Sequence, residues 1–471
     1  MTRTSDIATA LQEQRYEEAE QLAIASLRRS PLQAQAWVHL GEALLRQGCG
    51  DAARHVFERA WLLDPQAAWV PAVQHALTEA AAGPARPDVH ALLRVPNVKV
   101  TAAVMTCNDA RTIVRCVSSL IEAVDEIVIL DSDSTDGTLA LIQDMPKVRI
   151  IRHVPLDDDF AGKRNRGLDH FDGDWVIWVD ADESLFPEDV AIVRQAAGLF
   201  DSAPLPPILS ICQVNSIQGK EVRDYSLPRM FPLRRGLRYH GRVHEQVVLE
   251  GTPLFEDGTF RRSVRIRLRH DGYEPDVMKR RDKLNRNLRL LRMMVDEEPD
   301  NPGWMLYYGR ELLGSGDADQ ALTILARAEE LANRTPLFGR LVEILTLMGS
   351  IHMQRKSYDA VEQVCLRALK ASPDYPDAQY MLAQARMRKA VILMQDAERH
   401  LHQAKASFAT YRGTVTADRA IAEWKADLAL ADLALLAGKR AEAIHRYEQI
   451  CQRHPELAIV RQKLDKLLSP E

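Results

Sequence analysis

Apolar positions change period twice along the chain. Up to about residue 80 they recur at helical spacing, as in Ile7-Ala10-Leu11 and Ala19-Leu22-Ala23. From Val98 they gather into short β-rich runs: Val98–Met105, Glu126–Leu130, Val148–Ile151 and Trp175–Val179. Helical stretches, Arg111–Ala123 and Thr138–Asp144, fall between them. Strand alternating with helix predicts an α/β domain with a mostly parallel sheet. After about residue 277 the helical period returns and persists, with a longer helix pair expected over Met381–Tyr411. The Ala81-Ala82-Gly83-Pro84 stretch, with Pro87, has the composition of a linker. The expected divisions are therefore 1–80 helical, 81–96 linker, 97–276 α/β and 277–471 helical.

The helical regions also repeat. Trp37-x2-Leu40-Gly41 is followed by Gly48, Ala52, Phe57, Ala60 and Pro65, and Pro31 precedes Pro65 by 34 residues. This resembles the tetratricopeptide repeat, in which small residues let two antiparallel helices approach and aromatic ones fill the gaps. Looser copies run through Trp304, Tyr307, Gly309, Gly316, Ala321 and Ala328, and again through Gly349, Tyr358, Ala360, Ala368 and Pro373. A last one spans Leu433 to Pro455. Stacked hairpins of this kind form a curved solenoid with an extended concave face.

Composition narrows the class. The 471 residues are 46% hydrophobic and 27% charged, as expected of a multidomain globular chain. Lys plus Arg number 61 against 66 Asp plus Glu, so a net charge of -5 removes any global electrostatic case for nucleic-acid binding. No apolar window reaches the ~18 residues of a transmembrane helix, and Met1–Ala10 lacks the core of a signal peptide. Six cysteines lie far apart with no CxxC pair, which argues against a zinc ribbon or disulfide scaffold and for a reduced, cytoplasmic protein. Residues Arg261–Arg292 hold twelve basic and four acidic side chains, read as a solvated face.

Ligands of open α/β sheets sit beyond the carboxyl ends of the strands. Three such ends are polar here: Thr106-Cys107-Asn108-Asp109, Asp131-Ser132-Asp133-Ser134-Thr135-Asp136-Gly137-Thr138 and Asp180-Ala181-Asp182-Glu183. Two carboxylates at i and i+2 after an apolar strand can share a divalent cation or divide between metal and ribose; a plain Asp-rich turn is the alternative. Asp131 can accept from a uracil N3–H or a ribose hydroxyl, or serve as a turn cap. Lys163, Arg164 and Arg166 offer positive charge to a pyrophosphate, or form a solvated helix start.

Together these pieces, from Val98 to about Tyr273, resemble a family 2 glycosyltransferase of GT-A fold. They comprise Thr106-Cys107-Asn108, Asp131-Ser132-x-Ser134-x-Asp136-Gly137-Thr138, Lys163-Arg164-Asn165-x-Gly167 and Asp180-x-Asp182-Glu183. Pro228-Arg229-Met230-Phe231, Gly241-Arg242-Val243-His244-Glu245-Gln246 and Arg269-His270-Asp271-Gly272-Tyr273 are similar to bacterial glycosyltransferases with attached tetratricopeptide repeats. Those include enzymes that glycosylate bacteriocin peptides on cysteine or serine. Lipopolysaccharide-core glucosyltransferases are also similar, though they usually lack such repeats.

The resemblance implies a Rossmann-like nucleotide-sugar-binding GT-A domain flanked by all-α tetratricopeptide-type repeats. It implies inverting transfer of a hexose from a UDP-sugar with Mg²⁺ or Mn²⁺. Thr106, Asn108, Asp131, Asp133, Lys163, Asn165 and Asp180 are expected to bind donor, and Asp182 and His270 metal. Glu245 is the expected base, His244 beside it is expected at the catalytic centre holding the donor phosphate or the metal, and His240 is expected in a loop. HExxH is not met, because position 248 is Val, so a zinc-protease reading fails. The expected acceptor is a peptide or protein side chain held in part by the repeats; the alternatives are an envelope glycolipid acceptor or a non-catalytic scaffold. Homo-oligomerisation stays open.

Overall fold

The computed structural model describes residues 4–154, 159–217, 220–252, 258–270, 277–335 and 337–469. His270 thus ends a described segment, while the Asp271–Tyr273 part of the late motif lies outside the described residues. The chain forms two compact units, Met1–Ser315 and Gly316–Glu471.

The first unit opens with helices α1 (Thr4–Gln12), α2 (Tyr16–Arg29), α3 (Ala34–Arg46), α4 (Gly50–Leu63), α5 (Val70–Glu79) and α6 (Pro87–Leu93). The repeat signature is α3 packed on α4. A Cβ at Gly41 would stand 2.8 Å from the Phe57 ring, which is the close approach that small residues permit. Trp37, Leu40, Ala52 and Ala60 are buried around it.

An eight-stranded sheet follows: β1 (Val100–Thr106), β2 (Glu126–Asp131), β3 (Val148–Ile151), β4 (Trp175–Asp180), β5 (Glu183–Leu185), β6 (Pro207–Ile217), β7 (Lys220–Pro232) and β10 (Phe260–His270). Their order is β3-β2-β1-β4-β7-β6-β10-β5. The short strands β8 (Leu237–His240) and β9 (Gln246–Leu249) pair separately. Helices α7 (Ile113–Leu120), α8 (Phe160–Leu168) and α9 (Val190–Phe200) complete the α/β region, and α10 (Val277–Glu297) and α11 (Pro302–Ser315) close the unit. An α/β GT-A domain flanked by helical repeats is the fold class expected from the sequence. The sheet is mixed rather than mostly parallel: β3, β2, β1 and β4 run parallel, whereas β7 is antiparallel to both β4 and β6. The long β6 and β7 were not legible because β7 exposes Lys220–Arg223 and breaks register twice against β6. His240 is the last residue of β8, not a loop residue.

Both faces of the sheet are buried. Along β4, Trp175, Ile177 and Val179 join a core continuous with the N-terminal helices. Val176 and Trp178 face a second core with Leu130, Phe231 and Tyr239. That period-2 division explains an uninterrupted apolar run.

Arg262, Arg265 and Arg267 of β10 turn inward instead of meeting solvent, whereas Arg261 and Arg269 stay exposed as expected. Arg262 donates to the Leu63 carbonyl at 3.1 Å. Arg265 pairs with Glu58 at 2.7 Å and lies 4.1 Å from the Trp61 ring centroid. Arg267 donates three hydrogen bonds to the fully buried Asp189 carboxylate.

The second unit contains α12 (Ala318–Arg334), α13 (Leu341–Gln354), α14 (Tyr358–Ala371), α15 (Pro376–Ser407), α16 (Ala426–Leu436), α17 (Arg440–Arg453) and α18 (Ala458–Leu468). The expected helix pair over 381–411 is one 32-residue helix, α15, because no Gly or Pro interrupts Asp377–Ser407. Among the described residues no helix is long and apolar enough to cross a membrane, and all six cysteines are free.

Arg265 is 95% buried in its side chain, whereas its partner Glu58 is 44% exposed. Arg265→Ala should therefore lower stability by about 2 kcal/mol or more, and Glu58→Gln by less than about 1 kcal/mol. Denaturant midpoints of the two variants measure this; equal effects would rule out Arg265 as a buried anchor.

Candidate active site

Strand register brings the polar ends together. Thr106 lies opposite Asp131, and Met105 opposite Asp180. Thr106 is buried and donates its hydroxyl to Asp109 at 2.8 Å. Asp131 is also buried; its carboxylate accepts the Ser134 N–H at 3.2 Å. Asn108 has φ +63° and its side-chain oxygen accepts the Thr135 N–H at 2.8 Å, so the loops after β1 and β2 are tied to each other. Asp136 reinforces the tie by accepting from Thr138 and from the Ala110 N–H, and these bonds, the Thr138 hydroxyl first, hold its carboxyl below the usual range. Asp133, at φ +57°, points outward to His153 at 2.6 Å.

On α8, Asp159 caps the helix by accepting the Gly162 N–H at 2.9 Å. Lys163 is buried, with its ammonium 5.2 Å from the Phe160 ring centroid. Asn165 holds β8: it donates to the Tyr239 carbonyl and accepts the Tyr239 N–H, both at 2.8 Å. Arg164 is sandwiched 4.7 Å from Trp178 and 5.2 Å from Tyr239. It donates to Glu245 Oε1 at 2.9 Å and lies 3.6 Å from Asp180.

The Asp180-x-Asp182-Glu183 motif divides three ways. Both oxygens of Asp180 accept from Arg229, one at 2.7 Å. Burial raises this carboxyl, but Arg229 and then Arg164 outweigh it and hold it well below the usual range. Glu183 is fully buried, accepting the Asp180 N–H at 2.9 Å and the Gln213 amide at 2.6 Å; burial pushes its carboxyl up. Asp182 stays half-exposed and meets His270 Nε2 at 3.2 Å. His270 Nδ1 donates to Asn215 Oδ1 at 2.7 Å, which leaves Nε2 facing the carboxylate. Asn215 donates to Gln213, and so joins the Asp182–His270 pair to Glu183. The chain of contacts runs without a break from Asp182 to Glu245.

The structure thus brings Asp180, Asp182, His270 and Glu245 into one network. Thr106, Asn108 and Asp131 stand at the adjoining strand ends. Asp133 points away to His153, and Asn165 is engaged by backbone. His244, at φ +53°, turns to α11 instead: it stacks on Tyr307 (4.5 Å, 11°) and contacts Glu311 at 3.2 Å. Gln246 also donates to the Tyr307 hydroxyl at 3.2 Å. On the other side of Glu245, His240 meets Glu298 at 2.6 Å, and Arg242 meets Glu297 at 2.7 Å. Gly241, at φ +96°, is required, because a Cβ there would lie 2.6 Å from Trp304.

Sequence reasoning missed Arg229, Gln213, Asn215, Tyr307 and Glu311 in these places. Arg229 stood within a quoted motif without a role. Tyr307 read only as a repeat position. A cavity of about 610 Å³ lies beside β8 and β9, lined by Asn165, Asp169, Arg238, His240, Glu250 and Glu298 among others. It holds none of the strand-end carboxylates, so the strand-end geometry, not this cavity, marks the candidate site.

Asp182 raises His270 above its ordinary value of 6.5, against burial, which lowers it. A raised imidazole stabilises fully below that ordinary value, and the stabilisation is lost as pH rises through the raised one. Without divalent ion, His270→Asn should depress the melting midpoint more near pH ~5.5 than near pH ~8.5. An equal depression at both would remove the ion pair.

Residues 101–203 match the family model described as glycosyl transferase family 2, and residues 10–80 match a tetratricopeptide repeat model. The SPbeta prophage-derived glycosyltransferase SunS of Bacillus subtilis is 26% identical over 260 residues, covering 55% of this chain and 60% of SunS. The lipopolysaccharide core biosynthesis glycosyltransferase LpsC of Rhizobium meliloti is 34% identical over 171 residues, covering 33% of this chain and 60% of LpsC. The chain therefore spans about 60% of the length of these relatives. Among solved structures, S. aureus TarS 1-349 in complex with UDP-GlcNAc aligns with 61% of this chain and 92% of its own, at 14% identity and TM-score 0.32.

Proposed function

Since the chain carries a family 2 glycosyltransferase domain and tetratricopeptide repeats, we propose that it moves a hexose from a UDP-sugar to a Ser, Thr or Cys side chain of a peptide or protein in the cytoplasm. The observation that carries this reading is the Asp182–His270 pair, held beside Asp180 at the carboxyl end of β4. One carboxylate and one imidazole, the latter oriented by Asn215, suit Mn²⁺ well and Mg²⁺ less so. When bound there, the ion supplies positive charge to the departing diphosphate.

The chain's own residues do the rest. Asp131 and Thr106 hold the nucleoside at the strand ends, with Asn108 shaping the loop. Lys163 faces the diphosphate. Asp180, fixed by Arg229, orients the donor. The acceptor oxygen or sulfur attacks the anomeric carbon as the bond to diphosphate breaks, and Glu245 takes the acceptor proton. Arg164 engages one of its oxygens, Oε1. His244 positions this loop against α11. Helix α15 exposes Tyr380, Met387 and Val391 along one face, an apolar stripe that supports a polypeptide acceptor. The similarity to LpsC supports a second reading, transfer to an envelope glycolipid. Peptide and lipopolysaccharide-core acceptors, assayed side by side, separate the two.

Calorimetry should find UDP bound more tightly than ADP or GDP, with affinity lost on chelation. Equal, chelator-insensitive affinities would overturn the donor assignment. Asp182→Ala should abolish turnover while leaving the melting midpoint near wild type at pH ~8.5, where the pair with His270 no longer contributes and the side chain is half-exposed. A matching collapse in stability would make its role structural.

Glu245→Gln should lower the single-turnover rate on a hydroxyl acceptor ~10²–10⁴-fold with little change in donor affinity. A near-wild-type rate would take Glu245 out of the mechanism.

A further inference from the structure

Away from the strand-end network, the segment after α5 is an ordered strap. The Gly50 and Asp51 N–H groups at the start of α4 donate to the Ala81 and Ala82 carbonyls at 3.2 and 2.8 Å. Arg86 binds Glu20 of α2, and Arg59 donates to the Leu93 carbonyl at 2.9 Å. These bonds lay α6 beside α4 and bring His90 to a face of α4 that carries Asp51 and His55. Those two are one turn apart, at i and i+4, so they share that face. One ligand atom from each of Asp51, His55 and His90 lies within 4.8 Å of the others. His55 Nδ1–H donates to the Asp51 carbonyl at 2.9 Å, which orients its ring. The two imidazoles meet edge-on, with centroids 5.3 Å apart. All three side chains are exposed, so an ion reaches them without opening the fold.

We propose that Asp51, His55 and His90 bind a divalent transition-metal ion, zinc by preference, which fastens α6 to α4. Two imidazoles and one carboxylate form a nitrogen-rich set that suits Zn²⁺. Mg²⁺ and Ca²⁺ favour all-oxygen surroundings and are poorly served. Zinc–ligand bonds of about 2.0–2.2 Å require the three atoms to close by roughly an ångström. Rotation of exposed side chains supplies that movement without shifting the backbone. The fourth position is open to water. Because the three ligands come from two separate segments, the ion binds the folded junction far better than the unfolded chain, and it stabilises the strap that leads into β1. None of these residues belongs to the strand-end network.

The full-length chain with Asp182→Ala removes the other metal-ligating pair and isolates this site. Zinc titrated into it should bind at one equivalent and raise the melting midpoint, and Co²⁺ should give the visible absorption of a low-coordinate nitrogen and oxygen site. Mg²⁺ should do neither. His90→Ala and His55→Ala, added singly, should each weaken zinc at least tenfold while leaving the metal-free midpoint unchanged. Unaltered zinc affinity in both, or no rise in midpoint with zinc, would overturn the site.

Discussion

Two buried guanidiniums hold the strand-end region together. Arg229 and Arg164 stand among three carboxylates, Asp180, Glu183 and Glu245, beneath the end of β4. Without them, carboxylates at this depth would repel one another and shed their charge by protonation. With them, Asp180 stays ionised and fixed, Glu183 ties the β4 turn to β6, and Glu245 is drawn to α8. The aromatic walls around Arg164 strengthen the arrangement by excluding water from its faces.

That network sets what the motif's acids can do. Asp180 is engaged through both oxygens, whereas Asp182 keeps half its surface and, among the described residues, an imidazole as its side-chain partner. Two carboxylates two residues apart therefore have different chemistry, and their neighbours decide which is which.

The helical parts of the first unit are bound to the sheet, not merely tethered. On one side, β10 grips α4 through Arg262, Arg265 and Trp61. On another, α10 and α11 hold the segment from His240 to Gln246 through Glu297, Glu298, Trp304, Tyr307 and Glu311. The Glu245 loop thus takes its shape from helices that, by pattern alone, read as the start of the C-terminal repeats.

The sequence alone determined the repeat in α3 and α4, the four parallel strands and the polar residues at their ends, because period, strand-end chemistry and small-residue spacing are local properties. It also placed Asp182 and His270 in one expected role, and the structure sets them 3.2 Å apart. Only the tertiary structure decided the rest. The β6–β7 pair is long and partly exposed, so no clean alternation marked it. Arg262 and Arg265 of β10 look solvated until α4 packs on them, since a charged run carries no sign of its burial. The roles of Arg229, Tyr307 and Glu311 arise from contacts 49 to 67 residues apart in the chain, a distance at which local pattern holds no information.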